Sequence, residues 1–499
     1  MYLTQNNAYD SKDMLADFYI FIINNTKVAW PYISFVFYLT LSIMVSLHII
    51  MRRQESRTAL AWLALVWFSP FFGSVIYMAF GVNRVWRKTK LLKSPAIKKM
   101  IEQLYQTDIF QELNIPLSLQ KIANTHSRIS YFSLCGGNQI KILINGEQAY
   151  QPMLEAIASA KQSISMCSYI FDDDKLGKKF ARALIDASER GVEVRLLVDA
   201  VGLRYSFPSI FKQFKGTQVK ARRFLPTFVP WKMSYINLRN HRKILIIDGK
   251  QGFTGGMNIR EGHCLESNSK HKIQDVHFCI EGPIIRQMQI VFAMDWLYSS
   301  GETLSGKLWF PKLKEVGTSS MRSILDGPDE DIDTLKMILI SAITQAQKSI
   351  TIVNPYFLPN ITLINMLKIA QQRGLEITII VPQENNLKLV QWASQKTLEE
   401  MVNAGCHVYL SRPPFDHSKI MLIDDAWSFI GSANWDSRSL RLNFEYNIEV
   451  YDENFAQALK KIVDEKIEQG KKLSLQDFKN SSTINQFKRG LARLFMPYL

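Results

Sequence analysis

One pattern of histidine, lysine and aspartate occurs twice in this chain, and no other feature limits its fold so tightly. His241-Arg-Lys243-Ile-Leu-Ile-Ile-Asp248 leads to Gly255-Gly256-Met-Asn258, and His417-Ser-Lys419-Ile-Met-Leu-Ile-Asp424 leads to Gly431-Ser432-Ala-Asn434, with every gap the same. The segments before each copy repeat as well. Lys161-Gln-Ser-Ile-Ser-Met, a helix and Arg190-Gly-Val-Glu-Val-Arg-Leu-Leu-Val precede the first; Gln347-Lys-Ser-Ile-Thr-Ile, a helix and Arg373-Gly-Leu-Glu-Ile-Thr-Ile-Ile-Val precede the second. A period of roughly 180 residues is far beyond solenoid repeats, so it marks a duplicated domain. Short β-rich runs alternate with helical ones, which makes each half α/β. The expected halves are 130–315 and 316–470, with the strand pattern lapsing between Gly301 and Asp333.

Ile244–Ile247 and Ile420–Ile423 are apolar runs typical of buried strands. Alternate residues of a strand share a face, so His241 goes with Lys243 and His417 with Lys419. Set side by side, the halves bring two imidazoles, two ammonium groups and the carboxamides of Asn258 and Asn434 to one pocket. That set suits a phosphodiester. Lysine and asparagine bind nonbridging oxygens, more strongly as charge builds in the transition state. One neutral histidine attacks phosphorus while the other, protonated, supplies a proton to the leaving alkoxide. Asp248 and Asp424 belong to the catalytic motif by spacing, yet each closes a strand before a turn. They read as anchors or lysine partners rather than acid–base groups.

From Val28 to Ile50 and from Ala59 to Gly81 the chain carries no formal charge. Each run is long enough to cross a hydrocarbon core of about 30 Å as a helix. Trp30, Tyr32 and Tyr77 sit near the ends, where amphipathic rings prefer the interface. The expectation is a tail over 1–27, a two-helix transmembrane hairpin over 28–81 and a basic juxtamembrane linker over 82–129. Arg52, Arg53 and Arg57 fall between the spans. Arg84, Arg87, Lys88, Lys90, Lys93, Lys98 and Lys99 follow them. A hairpin puts these two groups on opposite sides, and the larger is assigned to the cytoplasm. Pro70 and Gly73 inside the second run also allow a kink or a re-entrant hairpin, which inverts that argument.

Lys plus Arg number 60 against 45 for Asp plus Glu, a net charge of +15 that calls for an anionic partner. The apolar runs favour acidic lipid and a bilayer over nucleic acid, which is not expected. Five cysteines, odd in number and without a CxxC pair, exclude a disulfide scaffold and fit reduced thiols. His263, Cys264, His271, His277 and Cys279 crowd together in sequence, but none has ligand-pair spacing, so no metal is expected. Asp172-Asp-Asp174 reads as a turn and helix cap. The aromatic and basic stretch from Phe207 to Arg242 fits a headgroup-contacting loop or a solvated one. Residues 471–499 carry Phe487, Leu491, Leu494 and Phe495 against Lys488, Arg489 and Arg493, which fits an interfacial helix or one docked on the globular part.

The duplicated motif resembles that of the phospholipase D superfamily, and the likeness extends to bacterial cardiolipin synthases. It is carried by Arg52-Arg-Gln-Glu-Ser-Arg-Thr-Ala-Leu-Ala-Trp through Phe80-Gly81, by Asn237-Leu-Arg-Asn-His-Arg-Lys and by Phe253-Thr-Gly-Gly-Met-Asn-Ile. In the second half it is carried by Asn354-Pro-Tyr-Phe-Leu-Pro, Gly431-Ser-Ala-Asn-Trp-Asp-Ser-Arg-Ser and Leu442-Asn-Phe-Glu-Tyr-Asn. The resemblance implies two α/β halves sharing one active site and a phosphohistidine formed without metal or other cofactor. It favours His241 as nucleophile and His417 as acid–base group. It also places an acidic brace for each histidine at Asp275 and Glu445, and adds Ser432 to Asn258 and Asn434 as phosphate-supporting groups. Phosphatidylglycerol is the implied donor and acceptor. The implied location is a bacterial inner membrane, crossed more than once, with the catalytic halves in the cytoplasm. Two departures stand out: Ile273-Gln274-Asp275 replaces a usual Trp-Arg-Asp, and Asp416 precedes His417 where an apolar residue is usual. A membrane-bound phospholipase D or base-exchange enzyme would use the same residues with another acceptor. A tethered nuclease and a noncatalytic lipid-binding scaffold are weaker readings, the second because both histidine–lysine–asparagine sets are intact.

Overall fold

The computed structural model describes residues 11–52, 56–81, 113, 115–226, 238–327, 333–479 and 482–494. Most of the expected basic linker and the 227–237 part of the aromatic–basic stretch lie outside the described residues. The chain divides into two units, Met1–Arg84 and Val85–Leu499.

In the first unit α1 (Ser11–Arg52) is a 42-residue helix. Its stretch from Ala16 to Met51 is long and apolar enough to cross a membrane. The second apolar run is not built that way. α2 (Ser56–Phe68) has 13 residues, about 20 Å of helix and short of a bilayer core. Ser69 leaves the helical region at φ −143° and ψ 78°, and Pro70 opens a short α3 (Pro70–Ile76). α3 doubles back along α2. A Cβ on Gly73 would lie 2.4 Å from the Leu65 carbonyl oxygen, and the Tyr77 ring stands 5.3 Å from that of Trp62. The reversed segment also packs on α1. His48 Nδ1 and the Tyr77 hydroxyl are 2.9 Å apart, Trp67 Nε1 donates to Ser46 Oγ at 3.1 Å, and Val45, Ile49, Trp62, Val66 and Tyr77 form one small core. The expected two-span hairpin is therefore corrected to one helix of spanning length and a helical reversal. Pro70 offers no N–H to continue the ladder, and glycine at 73 removes the side chain that would hold the two arms apart.

In the second unit the first half contributes β1 (Cys135–Ile144), β2 (Ser163–Ser168), β3 (Glu193–Asp199), β4 (Lys220–Phe224), β5 (Arg239–Asn240), β6 (Ile244–Ile247), β7 (Gln251–Gly255), β8 (Ile273–Gln274) and β9 (Val276–Glu281). The second half contributes β10 (Ser319–Asp326), β11 (Ser349–Val353), β12 (Glu376–Pro382), β13 (His407–Ser411), β14 (Phe415–Asp416), β15 (Ile420–Ile423), β16 (Trp427–Gly431), β17 (Asn443–Tyr451) and β18 (Lys471–Lys472). All but β8 and β14 join one sheet, ordered β18-β13-β12-β11-β15-β16-β17-β10-β1-β9-β7-β6-β2-β3-β4, with β5 beside β17. Apart from β18 at one edge, the order reads alike from both sides toward the antiparallel pair β1 and β10. The duplication in sequence is thus a pseudo-two-fold in space.

β6 and β15 are buried on both faces. Ile244 and Ile246 pack against the helix Ile284–Ser300, while Leu245 and Ile247 pack against the helices Asn145–Ser159 and Lys175–Glu189. Each fully buried aliphatic side chain contributes about 1.5–3 kcal/mol. Asp174 accepts the Gly177 N–H at 2.8 Å to cap the second of these helices, and Asp172 pairs with Arg260. The helix Thr483–Leu494 rests on the helix Lys388–Asn403. Ala492 is buried with Val390 and Ala393, and Lys488 Nζ lies 5.7 Å from the Trp392 ring centre. Ile484, Phe487 and Leu491 stay exposed, so this helix docks and still presents an apolar stripe.

The motif aspartates end their strands in left-handed backbone, Asp248 at φ 51° and Asp424 at φ 54°. Asp248 accepts the N–H groups of Lys161, Gln162 and Ser163 at 2.7–3.2 Å. Asp424 accepts those of Gln347, Lys348 and Ser349 over the same range. Each carboxylate therefore satisfies three amides opening the neighbouring strand. Asp248→Ala should lower unfolding free energy by about 2–4 kcal/mol, the cost of orphaning several amides, while Asp248→Asn loses less because one acceptor oxygen remains. Urea unfolding of the two variants checks the order; equal stability would mean the amides find other partners.

Candidate active site

The two His-x-Lys runs lie just before β6 and β15 and converge where the halves meet. β5 pairs in parallel with the start of β17, Arg239 opposite Asn443 and Asn240 opposite Phe444. β14 pairs in parallel with β8, Phe415 opposite Ile273 and Asp416 opposite Gln274. The ladders continue one step through backbone: His241 N–H donates to the Phe444 carbonyl at 2.9 Å and His417 N–H to that of Gln274 at 2.8 Å. The next residue along each partner strand is an acid, so each histidine meets the carboxylate of the opposite half. His241 Nδ1 is 3.0 Å from Glu445 Oε2 and His417 Nδ1 is 2.8 Å from Asp275 Oδ2. With Nδ1 engaged, Nε2 is the reactive nitrogen of both rings.

The glycine-or-serine position of the repeat supports these braces in two ways. In the first half a Cβ on Gly256 would fall 2.4 Å from Asp275 Oδ1, so glycine makes room for the shorter acid. In the second half Ser432 Oγ donates to Glu445 Oε2 at 2.5 Å, and the Ser432 carbonyl lies 3.0 Å from His241 Nδ1. Asn258 Oδ1 accepts the Ile170 N–H at 3.0 Å, which turns its NH₂ elsewhere. Among the described residues Asn434 Oδ1 has no hydrogen-bond partner although it is buried. Lys243 and Lys419 each donate to the carbonyl of the histidine two positions before them, at 2.5 Å.

Burial dominates the electrostatics. It pushes Lys243 down to about 7, with Glu445 opposing and Lys419 adding to the shift. Lys419 is pushed down to about 8 by burial, against Asp275 and Glu445. Burial also holds both histidines below their usual value, His241 against the pull of Glu445 and His417 further down because Lys419 and Lys243 add to burial. The carboxylates part company. Burial raises Asp275 despite Lys419 and His263. In Glu445 burial is outweighed by His241 and Lys243, so it stays below its usual range. A group of lysines and neutral histidines gathered in this way regains charge when an anion enters, which is the behaviour of an oxyanion site.

The structure brings together His241, Lys243, Asn258, Asp275, His417, Lys419, Ser432, Asn434 and Glu445. It does not bring Asp248 or Asp424, which lie roughly 16 Å of strand beyond the lysines; their place among the catalytic groups is corrected to that of anchors. Asp416, the departure before His417, is a buried partner of Lys466 at 2.7 Å. Residues beyond the sequence expectation also line the pocket. The Tyr169 ring is 5.1 Å from His241 and 5.5 Å from Lys243 Nζ. Tyr356 and Phe415 stand 6.3 and 5.8 Å from His417. His263 lies 6.4 Å from His417, and its Nε2 accepts the Asn258 N–H at 3.4 Å. Phe415 was within reach of alternation, two places before a motif histidine. Tyr169 and Tyr356 come from loops and His263 from the short helical turn Glu261–His263, whose approach no local pattern encodes. Among the described residues no three His, Cys, Asp or Glu side chains cluster to hold a metal.

A duplicated α/β sheet with one histidine–lysine–asparagine set from each half is the arrangement of phospholipase D-like proteins. Residues 153–296 and 339–467 match the family described as Cardiolipin synthase, PLD-like domain, and the chain belongs to that family. Residues 40–81 match a phospholipase D-nuclease N-terminal family. The protein named cardiolipin synthase 1 of Staphylococcus epidermidis (strain ATCC 35984) is 32% identical over 475 residues, 92% of this chain and 96% of its own. The cardiolipin synthase of Geobacillus thermodenitrificans is 29% identical over 473 residues, 92% of each chain. Among solved structures, phosphatidylserine synthase of Haemophilus influenzae Rd KW20 shares the fold with a TM-score of 0.57 and 16% identity, over 72% of this chain and 92% of that one.

An oxyanion seated between Lys243 and Lys419 should raise them above about 7 and about 8 respectively. Binding of inorganic phosphate at about pH 8.5 is then expected to take up protons, and its affinity to fall as pH rises past about 8; below about pH 6 the lysines take up none. Calorimetry in buffers of different ionisation enthalpy reads the uptake directly. Binding without proton uptake at the higher pH would remove the lysines from the anion site.

Proposed function

We propose that this protein is a cardiolipin synthase that transfers a phosphatidyl group from one phosphatidylglycerol to another and releases glycerol. The observation that carries the reading is the crossed pair of braced histidines in a lysine-rich pocket, in a chain similar to cardiolipin synthases along most of its length. One histidine, His241 by family likeness, attacks phosphorus through Nε2. The bond from phosphorus to the glycerol oxygen breaks, and the other histidine gives that oxygen its proton. The hydroxyl of a second phosphatidylglycerol then loses its proton to the same histidine, forms the new P–O bond and releases the first histidine. Lys243, Lys419, Asn258 and Asn434 hold the nonbridging oxygens, while Glu445 and Asp275 fix the rings and stabilise the charge each gains. Water or another alcohol at the second step would give a phospholipase D or a base-exchange enzyme.

Purified full-length protein given phosphatidylglycerol alone in mixed micelles should yield cardiolipin and glycerol in equal amounts by lipid mass spectrometry. Phosphatidic acid without cardiolipin would favour the hydrolytic alternative. His241→Ala and His417→Ala should each leave no more than a few per cent of turnover, the scale of general acid–base catalysis. Substantial activity in either variant would dissolve the two-histidine mechanism.

We further propose that α1 crosses the membrane once and that α2 and α3 dip into the same leaflet and return. The reversal at Ser69 and the close approach at Gly73 support this. Arg52 and Arg53 then lie on the same side as Arg84 and the basic run after it, and the positive-inside rule assigns that side to the cytoplasm without conflict. Single cysteines at Asn6 and Asn83 of a cysteine-free active variant should label from opposite sides of intact cells with an impermeant maleimide. Labelling from the same side would restore the two-span hairpin.

A further inference from the structure

In both halves a strand near the pocket is followed by a connection in a matching place. β3 lies between β2 and β4, and β12 between β11 and β13, all paired in parallel. The stretch after β3 therefore corresponds to the stretch after β12. A two-fold axis carries each point to another at the same height along it, so the two connections emerge on one face of the catalytic unit. Each is tied to its own histidine by a tyrosine. Tyr169 stands 5.1 Å from His241 and 6.3 Å from Tyr205 of the first connection. Tyr356 stands 6.3 Å from His417, and its hydroxyl donates to Asn386 Oδ1 of the second connection at 2.8 Å. Tyr356 and Leu358 also pack with Val390, Ala393 and Ala492, which brings the helix Thr483–Leu494 to the same face.

Both connections turn apolar side chains outward. Among the described residues Phe207 is 97% exposed and Tyr205 62%, and Lys212 Nζ lies 5.8 Å from the Phe207 ring centre. In the other half Trp392 is partly exposed beneath Lys488. Next to it Ile484, Phe487 and Leu491 fall within an arc of about 60° on their helix, and Phe487 is 71% exposed. The accompanying charge has one sign. Residues 204–215 carry three bases and no acid, and so does the helix Thr483–Leu494. Exposed aromatic and aliphatic side chains among cations match the headgroup boundary of an anionic bilayer. We infer that Tyr205 and Phe207 in one half, and Trp392 with the apolar stripe of the helix Thr483–Leu494 in the other, form a rim around the reacting histidines that seats on the surface of an anionic bilayer. A phospholipid drawn into a pocket seated in this way keeps its chains in the hydrocarbon, and their apolar surface never meets water. The inference rests on the reading of the substrate as a phospholipid.

The test uses full-length protein in vesicles. Phe207→Cys, Phe487→Cys and, as a control, Lys348→Cys are made singly in the cysteine-free active variant and labelled with a nitrobenzoxadiazole fluorophore. Lys348 is exposed just before β11, whereas Tyr356 follows the other end of that strand. In vesicles of phosphatidylglycerol with brominated phosphatidylcholine, the probes at Phe207 and Phe487 should lose about half their emission or more, as the depth of an interfacial apolar face requires. The probe at Lys348 should lose none. An unquenched probe at either rim position, or equal quenching at Lys348, overturns the rim, as does equal quenching once phosphatidylglycerol is left out. A second measurement needs no label. Phe207→Ser and Phe487→Ser should each slow cardiolipin formation about fivefold or more on vesicles, yet stay within about twofold of wild type in detergent-mixed micelles. An equal loss in both assays would assign these side chains to folding and overturn the rim. Quenching as expected in a protein that makes no cardiolipin would uphold the rim and defeat the proposed synthase reading, a distinct result.

Discussion

Everything in the catalytic unit depends on a hydrogen bond exchanged across the pseudo-two-fold: each imidazole is held by a carboxylate that the other half supplies. Neither half owns a complete dyad. The exchange is geometric, because the parallel pairs β5 with β17 and β14 with β8 set each histidine beside the strand position before an acid. Burying a carboxylate against an imidazole is expensive unless both are well bonded. Glu445 meets that demand with Ser432 and Asn443 as additional donors. Asp275 meets it with the Val276 amide and with the space that Gly256 leaves.

The two dyads are consequently unequal. Glu445 stays below its usual range, and burial lowers His241 less than His417 because Glu445 opposes it at His241, while both lysines act on both rings. The environments therefore push the two histidines apart, but in the sense that keeps a proton on His241 longer, opposite to the roles that family likeness gives them. The low values of Lys243 and Lys419 belong to the same arrangement. Burial opposes four positive charges in one place, and an oxyanion bound among them favours those charges. The residues two places before the motif histidines differ too, Arg239 in one half and Phe415 in the other.

The first unit shows how little is needed to turn an apolar run of spanning length into a returning one. The run from Ala59 to Gly81 has the length and apolarity of a span, yet a serine, a proline and a glycine within five positions fold it on itself. Tyr77 then reaches both Trp62 and His48, so its hydroxyl has a polar partner among apolar side chains.

Much of the site was legible in order of residues alone. Equal spacing in two copies and one histidine and one lysine on a shared face are properties of the chain, and strand alternation turns them into a pocket; the bracing acids came from the family resemblance. The α/β class followed from the same alternation, since four consecutive apolar residues before a turn are buried on both faces. Tertiary structure decided what spacing leaves open. It showed which acid serves which histidine, because that pairing crosses between strands far apart in sequence. It removed Asp248 and Asp424 from the pocket, because their partners are amides that open a neighbouring strand. It brought Tyr169, Tyr356 and His263 to the reacting rings from loops and a short helical turn with no periodicity to read. And it folded the second apolar run back, since hydropathy sums the composition of a segment while a single backbone angle at Ser69 sets its direction.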